Sequence, residues 1–431
     1  MKKRIITTTA VATLLSLHVR SQATVNSLDD LFRMAEDKSQ VIKVSRTAVE
    51  SAEDAVAFAM SQRLPELGIE ASVGYLGDGV LGDRSYKNWI HIDNPHFMNN
   101  AALKAQQVIY SGGRISIGIA LARLGKELAE LDMHHNREEV RFLLTGQYLD
   151  LCRLLNQERV LDENLRLTEI LIKQSKARTT AGTALTTDVT RFELQREELQ
   201  LLRQKIIDAQ NIIKHDIAVT LHTPEIAFHC PEEHVEPPAV SLEEWLAMST
   251  SSTTMKKSEV GVRMSEQTVR MKRPELLPKV AVVAENHFDG PITTEVPVID
   301  KNINFWFAGV GVSYPLSSLW KGRKDVRKAA AELRMSKERH VVAEENIGNA
   351  INASYTTLLT SRKEVETRQK NVQLADENYS VTNNRYRNGL CLLTEMLDAS
   401  TTKLEADMAL VNSRIDMLYY FYKLKYLTST F

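Results

Sequence analysis

The chain has 431 residues, of which 43% are hydrophobic and 25% are charged. Its 54 basic and 55 acidic residues nearly cancel, leaving a formal net charge of −1. Domains that bind phosphates usually carry a basic excess, so nucleic acid is not expected as a partner. The 3 cysteines are odd in number and far apart, and they predict neither a disulfide framework nor a zinc site.

The first residues predict an export signal over 1–23. A positive start at 2–4 precedes a mildly apolar stretch, and small residues surround a plausible cut after Ala23. An amphipathic N-terminal helix is the alternative interpretation. Beyond the signal, no stretch approaches the ~18 consecutive apolar residues of a membrane-spanning helix, so none is predicted.

The first helix is predicted to begin at Ser27, whose hydroxyl can accept an orphan backbone N–H. It runs toward Gln62, and Pro65 ends it because proline supplies no amide. The period then changes to two, which predicts a strand from Leu67 to Tyr75. A weaker strand lies near 101–110, and the polar connector 76–100 is interpreted as an exposed loop.

A proline-free helix with leucines at 3-4-3 spacing is predicted from about 114 to 180, followed by Gly182 and a shorter helix. Helices of this length need neighbouring helices along their whole length. The proline-rich segment 222–240 is interpreted as a solvated linker. It carries donor types that could hold a metal, although a linker of this kind rarely fixes metal geometry; these are His229, Cys230, Glu232, Glu233 and His234.

The second half predicts the same order: a helix from Ser241 to Lys272, strands near 280–288 and 306–314, a long helix from about 323 to 388, Gly389 and a final helix. The fourth strand has one face with aromatic ends around a small aliphatic middle, as at a lipid boundary. A sheet packed on a soluble core would look similar. The residues of this face, predicted to be lipid-facing, are Trp306, Ala308, Val310, Val312 and Tyr314.

These landmarks indicate a tandem duplication. The offset between matching positions falls only from 214 residues, at Ser27 and Ser241, to 207 residues, at Gly182 and Gly389. The predicted organisation is a signal peptide at 1–23, a first repeat at 24–221 with strands at about 66–110, a linker at 222–240, and a second repeat at 241–431 with strands at about 279–315. The fold class is mainly α with a transmembrane β part.

Four strands cannot close a barrel with a usable lumen, since ~8 strands enclose little more than packed side chains. An open sheet edge in lipid would leave backbone groups unpaired, each at a cost of roughly several kcal/mol. Other copies of the chain are therefore expected to complete both the sheet and the helical seams, in a closed ring.

The duplicated order is accompanied by the run 110–114 (Tyr-Ser-Gly-Gly-Arg) and by 386–389 (Tyr-Arg-Asn-Gly) followed by 395–398 (Glu-Met-Leu-Asp). With this combination the sequence resembles the TolC-like outer-membrane efflux proteins. The resemblance implies a homotrimer with a 12-stranded outer-membrane β-barrel, four strands per chain, and an α-barrel tunnel through the periplasm. It also implies a passive exit duct of a tripartite efflux or type I secretion system, with a periplasmic adaptor protein and an inner-membrane pump as partners.

The resemblance further implies a gate at the periplasmic tip, where Gly182 and Gly389 reverse the helices. Glu395 and Asp398 would ring the entrance, although a solvated acidic face is the simpler interpretation. Relatives often place an arginine where this chain has Cys391, so Asp188 lacks that partner. The hypothesis is that closure depends on Tyr386 and on packing around Cys391, and that replacing Tyr386 by Phe or Ala raises the single-channel conductance.

Two other classes of protein are alternatives. A soluble periplasmic coiled-coil scaffold or adaptor without a channel would explain the long helices alone. An enzyme is disfavoured because no metalloprotease, serine-hydrolase, P-loop or dinucleotide-binding motif is present. No cofactor or metal is predicted, and drug efflux and polypeptide secretion remain equally open.

Overall fold

The structure, a computed structural model, describes residues 23–25, 27–223, 226–228, 230 and 236–431. The predicted signal peptide lies outside the described residues except for Ala23. The same is true of four of the five linker donors: His229, Glu232, Glu233 and His234. None of the described helices combines the length and hydrophobicity needed to cross a lipid bilayer.

The chain alternates helices with strand pairs. The elements of the first half are β1 (Ala23–Val25), α1 (Leu28–Lys38), α2 (Gln40–Ser61), β2 (Glu66–Tyr75), β3 (Gly79–Gly82), β4 (Trp89–Ile92), β5 (Phe97–Tyr110), α3 (Arg114–Thr180), α4 (Thr186–Thr220) and β6 (Ile226–Phe228). Those of the second half are α5 (Leu242–Ser249), α6 (Thr253–Lys272), β7 (Lys279–Gly290), β8 (Ile303–Ser313), α7 (Ser318–Arg387) and α8 (Leu393–Leu427). The long helices α3 and α7 have 67 and 70 residues, and the helices after them have 35 each.

The predicted helix starts are confirmed. The Ser27 hydroxyl accepts from the Asp30 N–H at 3.3 Å, and Ser241 forms a reciprocal capping box with Glu244. Each first helix is nevertheless divided: α1 ends before Ser39, whose backbone is extended, and α5 ends before a break that leads to α6. The continuous helices expected from Ser27 and Ser241 were therefore wrong. At the second junction the hydroxyls of Ser249, Thr250 and Ser251 donate to the carbonyls three residues back, and such bonds compete with the helix.

The four long strands form one antiparallel sheet in the order β2-β5-β7-β8. They lie where strands were predicted, although β5 begins earlier, at Phe97. The connector 76–100 is not a plain loop, since β3 and β4 pair within it as a short antiparallel hairpin. A second small sheet pairs β1 with β6 in parallel, and the sequence analysis missed it.

The chain divides into two compact units. We call the first the turn unit; it comprises the described residues within 1–39, 143–237 and 360–419. We call the second the sheet unit; it comprises 40–142, 238–359 and 420–431. Each is described by itself below.

In the turn unit, α3 lies antiparallel to both α4 and α8. Polar contacts run down these seams, with Arg203 Nε 2.6 Å from Asp162 toward α4 and Arg153 Nη2 2.8 Å from Asp416 toward α8. Between them lies an apolar cluster around Leu161, which is fully buried. The leucine spacing of α3 is thus used to contact helices that return beside it.

A disulfide joins Cys152 to Cys230, with their Cα atoms 5.5 Å apart. Both residues are buried. This corrects the expectation that the cysteines form no disulfide. They stand 78 residues apart in sequence, but α4 runs back along α3 and returns the linker to the level of Cys152. Their separation in sequence therefore gave no sign that they lie close together in the fold.

In the sheet unit, α2 and α6 each lie antiparallel to the first part of α3. Lys126 of α3 pairs with Glu53 of α2 at 2.8 Å, and Arg263 of α6 pairs with Glu127 at 2.7 Å. The last residues of the chain pack here as well, with Phe142 and Tyr426 stacked at 4.7 Å between ring centroids.

Candidate functional site

Both long helices end in the same glycine turn. Gly182 and Gly389 have φ values of +75° and +72°. In each turn the glycine N–H donates to the carbonyl three residues back, and the next N–H donates to the carbonyl five residues back, at distances of 2.8–3.0 Å. This is the Schellman arrangement, which satisfies the last helical carbonyls. A positive φ strains residues that carry a side chain, so the geometry requires glycine at both places.

Tyr386 lies beside the second turn and is only 3% exposed. Its ring meets the Phe192 ring edge-on at 5.9 Å between centroids. Burial raises the pKa of the Tyr386 phenol, and the nearby Ser175 hydroxyl acts in the opposite direction. We call the buried group around this ring the turn cluster; its members are Leu171, Ile172, Phe192, Tyr386, Leu393 and Met396.

Arg178 connects the first turn to the second. Its Nη1 donates to the Tyr386 carbonyl at 2.7 Å, and its guanidinium lies over the Tyr386 ring at 5.0 Å from the centroid. The same carbonyl accepts from the Gly389 N–H at 3.0 Å. One cation thus contacts both the backbone and the ring of a residue from the other half of the chain, and it ties the two turns together within one protomer.

Cys391 packs against the turn cluster and is half-buried. Its Sγ lies 3.6 Å from the Thr382 carbonyl, to which the thiol donates. Burial raises the pKa of the thiol, and the Glu395 charge raises it further. The thiol therefore stays protonated near neutral pH and serves as a small packing group.

The predicted acidic residues differ in their surroundings. Glu395 is exposed, and one of its oxygens lies 3.7 Å from Arg385 Nη1. Asp398, one turn further along α8, is also exposed. Asp188 is half-exposed, and its charge adds to the raised pKa of Tyr386, which places it near that ring.

The structure brings Tyr386, Cys391 and Glu395 to one turn, but the inter-turn contact is made by a residue that the sequence analysis did not select. Arg178 and Arg385 each lie four residues before a turn glycine, at equivalent places in the two halves of the chain. Those equivalent arginines take different partners, Tyr386 in one case and Glu395 in the other. The Tyr386 group that Arg178 holds by hydrogen bonding is its carbonyl, which phenylalanine would keep. The expectation for replacement by Phe is therefore revised to little change in conductance, whereas Ala still removes the ring.

The strand registers show that the sheet has two distinct faces. Residues paired directly across strands share a face, and the pairs Ile69–Leu103, Leu103–Asn286 and Asn286–Trp306 form one continuous row. The apolar sides predicted separately for β2 and β8 thus lie on the same face of the sheet. Several of its large side chains are 67–82% exposed in the single chain: Ile69, Val73, Tyr75, Trp306, Val310 and Val312.

Tyr314 departs from this pattern. It follows β8, which ends at Ser313, and is only partly exposed. The predicted aromatic residue at this end of the strand thus lies just beyond the sheet. Trp306, Ala308, Val310 and Val312 remain in β8, all exposed.

The opposite face carries the charges. Lys104 Nζ lies 2.6 Å from Glu70 across β2 and β5, and the His287 Nε2 lies 2.8 Å from Glu285 along β7. The register places Lys104 directly opposite Glu285. A sheet that alternates between an apolar and a charged face matches strands with lipid on one side and water on the other.

Residues 249–425 match the family model described as outer membrane efflux protein. Over this segment, which is less than half of the chain, the sequence is similar to the outer membrane efflux protein family. The segment includes the second glycine turn and β7 and β8. Proteins of that family are passive channels rather than enzymes, and the homologous channels lie in the outer membrane. No curated protein matches the sequence significantly.

Solved outer-membrane proteins share the fold over nearly the whole chain. VceC of Vibrio cholerae is 16% identical, with a TM-score of 0.77 over 93% of this chain and 95% of that chain. The CmeC outer membrane channel of Campylobacter jejuni is 14% identical, with a TM-score of 0.75 over 94% and 85%. The open state of the MtrE outer membrane channel of Neisseria gonorrhoeae is 14% identical, with a TM-score of 0.67 over 93% and 88%. At these identities the likeness concerns the fold.

Proposed function

We propose that three copies of this chain form a passive exit duct across the outer membrane and the periplasm. The observation that carries the proposal is the open, two-faced sheet. Among the described residues, β2 and β8 are its two edges, and every residue of both strands is exposed in the single chain. In lipid, each unpaired backbone group would cost roughly several kcal/mol, so these edges need partner strands.

A homotrimer supplies those partners. Pairing β8 of one protomer with β2 of the next, three times around one axis, closes the sheets of three chains into a 12-stranded barrel without a free edge. The row through Ile69, Leu103 and Trp306 then faces lipid, and the face with Lys104 and Glu285 faces the lumen. The predicted lipid-facing residues of β8 lie on the outer side.

The helices require the same neighbours. Large apolar side chains on the long and returning helices are 47–64% exposed in the single chain, and they would be covered in an α-barrel made by three copies; these include Leu194, Leu201, Ile212, Val341, Leu374 and Val381. This ring of helices would be the periplasmic tunnel of the duct.

The glycine turns form the tunnel entrance in this proposal. Glu395 and Asp398 of three protomers place six carboxylates around the opening, which favours cations. The link from Arg178 to Tyr386, the turn cluster and Cys391 hold the ends of α3 and α7 together within each protomer. Asp188 adds negative charge near the same ring. The entrance would widen when these contacts separate.

As an exit duct, the channel works with a periplasmic adaptor and an inner-membrane pump, in a tripartite efflux or type I secretion system. The fold favours a channel over the soluble scaffold considered from the sequence, since a scaffold has no use for an exposed apolar sheet face. The two transport roles differ in cargo. Deleting the gene separates them: greater sensitivity to toxic compounds with normal secretion indicates efflux, and the opposite result indicates secretion.

Two neighbouring residues of β2 test the barrel directly. Val73 lies on the apolar face and Ser72 on the opposite face. A lysine on the lipid side costs about 2–4 kcal/mol at mid-membrane, but far less on the lumen side. We expect Val73→Lys to abolish the heat-modifiable oligomer in outer-membrane fractions and Ser72→Lys to retain it. Equal effects of the two lysines would contradict the assigned faces, and a detergent-free monomer would refute the channel.

A further inference from the structure

The hairpin of β3 and β4 gathers three metal-ligating side chains at its base. Asp78 and Asp93 stand one residue beyond the last strand pair, Gly79 and Ile92. His91 Nε2 lies between them, 3.9 Å from Asp78 Oδ2 and 3.7 Å from Asp93 Oδ1. All three donor atoms lie within 4.8 Å of one another, and all three residues are exposed.

These separations are close to those of an occupied site. Zinc binds imidazole nitrogen and carboxylate oxygen at about 2.0–2.2 Å, so neighbouring ligands in a tetrahedral site stand about 3.3–3.5 Å apart. The two distances from His91 need to shorten by only a few tenths of an ångström. Rotations of exposed side chains can supply that change without moving the backbone.

The surrounding hydrogen bonds hold the ligands in place. Asp78 Oδ1 accepts from the Asn94 N–H at 3.1 Å, which leaves Oδ2 turned toward His91. The Asn94 amide donates to the Gly77 carbonyl at 2.8 Å, and the Leu76 N–H donates to the His96 carbonyl at 2.9 Å. Both sides of the hairpin base are thereby joined below the cluster, as a second shell joins the ligands of a metal site.

The tip of the hairpin is also well ordered by its own contacts. Asp83 accepts from the Ser85 hydroxyl at 2.8 Å, from the Lys87 N–H at 3.1 Å and from the Asn88 amide at 2.7 Å. The Trp89 indole N–H donates to the Tyr86 carbonyl at 3.2 Å. With both ends fixed, the strands present the cluster without a large ordering cost on binding.

The negative charges of Asp78 and Asp93 favour binding of a cation. Like charges placed opposite each other across two strands destabilise a hairpin, and here two carboxylates face each other with an imidazole between them. A divalent cation neutralises both. Mixed imidazole and carboxylate ligands suit zinc and its neighbours, whereas calcium and magnesium prefer oxygen ligands throughout.

We propose that Asp78, His91 and Asp93 bind one first-row divalent cation, of which Zn²⁺ is the representative, with water in the fourth position. The site stands on this hairpin alone and does not depend on the transport role. The bound ion would join β3 to β4 at the point where the hairpin leaves the main sheet.

Another part of the chain could bind zinc and must be separated from this site. The linker donors His229 and His234 lie outside the described residues. Their neighbour Cys230 is held in the disulfide with Cys152, so it offers no thiolate. A double variant, His229→Gln with His234→Gln, therefore serves as one control. His215→Gln, at an exposed histidine of α4, serves as the second.

The test is calorimetric titration of the purified full chain in detergent with ZnCl2. We expect one Zn²⁺ per chain, and a loss of affinity of at least about tenfold in His91→Gln and in Asp93→Asn, because removing even an outer-shell partner typically costs ten- to a hundredfold. Both control variants should bind as the wild type does. Co²⁺ should give the visible absorption of a low-coordinate site in the wild type and lose it in His91→Gln.

Three results would overturn the proposal. The first is a wild-type chain that binds no Zn²⁺ at about 100 μM. The second is equal affinity in the wild type and His91→Gln. The third is loss of binding in the linker double variant while His91→Gln still binds. The oligomer should stay intact in His91→Gln, Asp93→Asn and His215→Gln, because these side chains are exposed. Heat-modifiability of the oligomer checks that each variant is folded.

Discussion

Removing the Arg178 side chain should loosen the tie between the two glycine turns. Its 2.7 Å bond joins a charged donor to a backbone carbonyl, a contact that contributes about 1.5–3 kcal/mol. The guanidinium over the Tyr386 ring adds about 0.5–1 kcal/mol at a partly exposed site. Because Arg178 is only half-buried, we take the sum as about 2–3 kcal/mol. At 1.4 kcal/mol per factor of ten, Arg178→Ala should shift the tied-to-untied ratio by about 30- to 140-fold per protomer.

The assay is single-channel conductance in planar lipid bilayers. We expect a higher conductance for Arg178→Ala, and an intermediate value for Arg178→Lys, which keeps the charge but loses the planar group that stacks on the ring. Arg166→Ala is the matched control, since this arginine on the same helix is exposed and pairs with Glu163 one turn away. Such a pair contributes little, and its loss should leave conductance unchanged.

An Arg178→Ala channel that is assembled and conducts like the wild type would refute a tie between the two turns. An equal rise in conductance with Arg166→Ala would refute it as well, because the effect would then follow from general loss of charge on α3. An increase with Tyr386→Ala but none with Tyr386→Phe would show that the ring, and not the phenol hydroxyl, supports the tie, because both variants keep the carbonyl.

Three further predictions concern stability. Cys152→Ser should lower the free energy of unfolding by up to about 4.5 kcal/mol, because the disulfide closes a loop of 78 residues; a melting temperature unchanged from that of the oxidised wild type would contradict this. Phe192→Ala should cost about 3–5 kcal/mol in the turn unit, because the ring is fully buried, and Phe192→Leu should cost less by the same thermal melt. The Ser85 hydroxyl and neighbouring donors lower the pKa of Asp83 to about 2, so its contribution to the hairpin is complete above pH ~4 and is lost as pH falls toward 2. Pepsin should then cut the wild-type hairpin at pH 2 but not at pH 4, and it should cut the Asp83→Asn hairpin at both pH values. Equal cutting of the two proteins at pH 4 would show that ionised Asp83 does not stabilise the hairpin.

The strands show what alternating residues predict and what they leave open. Alternation in 67–75 and 306–314 predicted β2 and β8 and their apolar sides, because a strand turns successive side chains to opposite faces. That these two sides belong to one face depends on the registers through β5 and β7. Register is a property of paired strands, so it cannot be predicted from the sequence of either edge strand alone. The hairpin in 76–100 was missed for a related reason, since its strands have only four residues each and their pairing depends on a tip held by Asp83.

At the turns, glycine spacing predicted where the helices reverse, and the positive φ values agree with that reading. The partner of Tyr386 was not predictable. Arg178 and Arg385 occupy equivalent places in the two halves, and local sequence cannot tell which of them reaches across to the other turn. The disulfide presents the same difficulty, since only the return of α4 along α3 brings Cys230 to Cys152.

Sequence patterns were enough to predict the local elements: the helix starts, the proline and glycine boundaries, the two long helices and the alternation of the strands. These follow from interactions among residues a few positions apart, which every copy of the sequence must satisfy. The contacts between distant segments emerged only from the folded chain, namely the shared apolar face, the disulfide, the tie from Arg178 to Tyr386 and the cluster of Asp78, His91 and Asp93. Such contacts depend on how whole elements pack, and packing is set by the sum of many weak interactions that no short stretch of sequence contains.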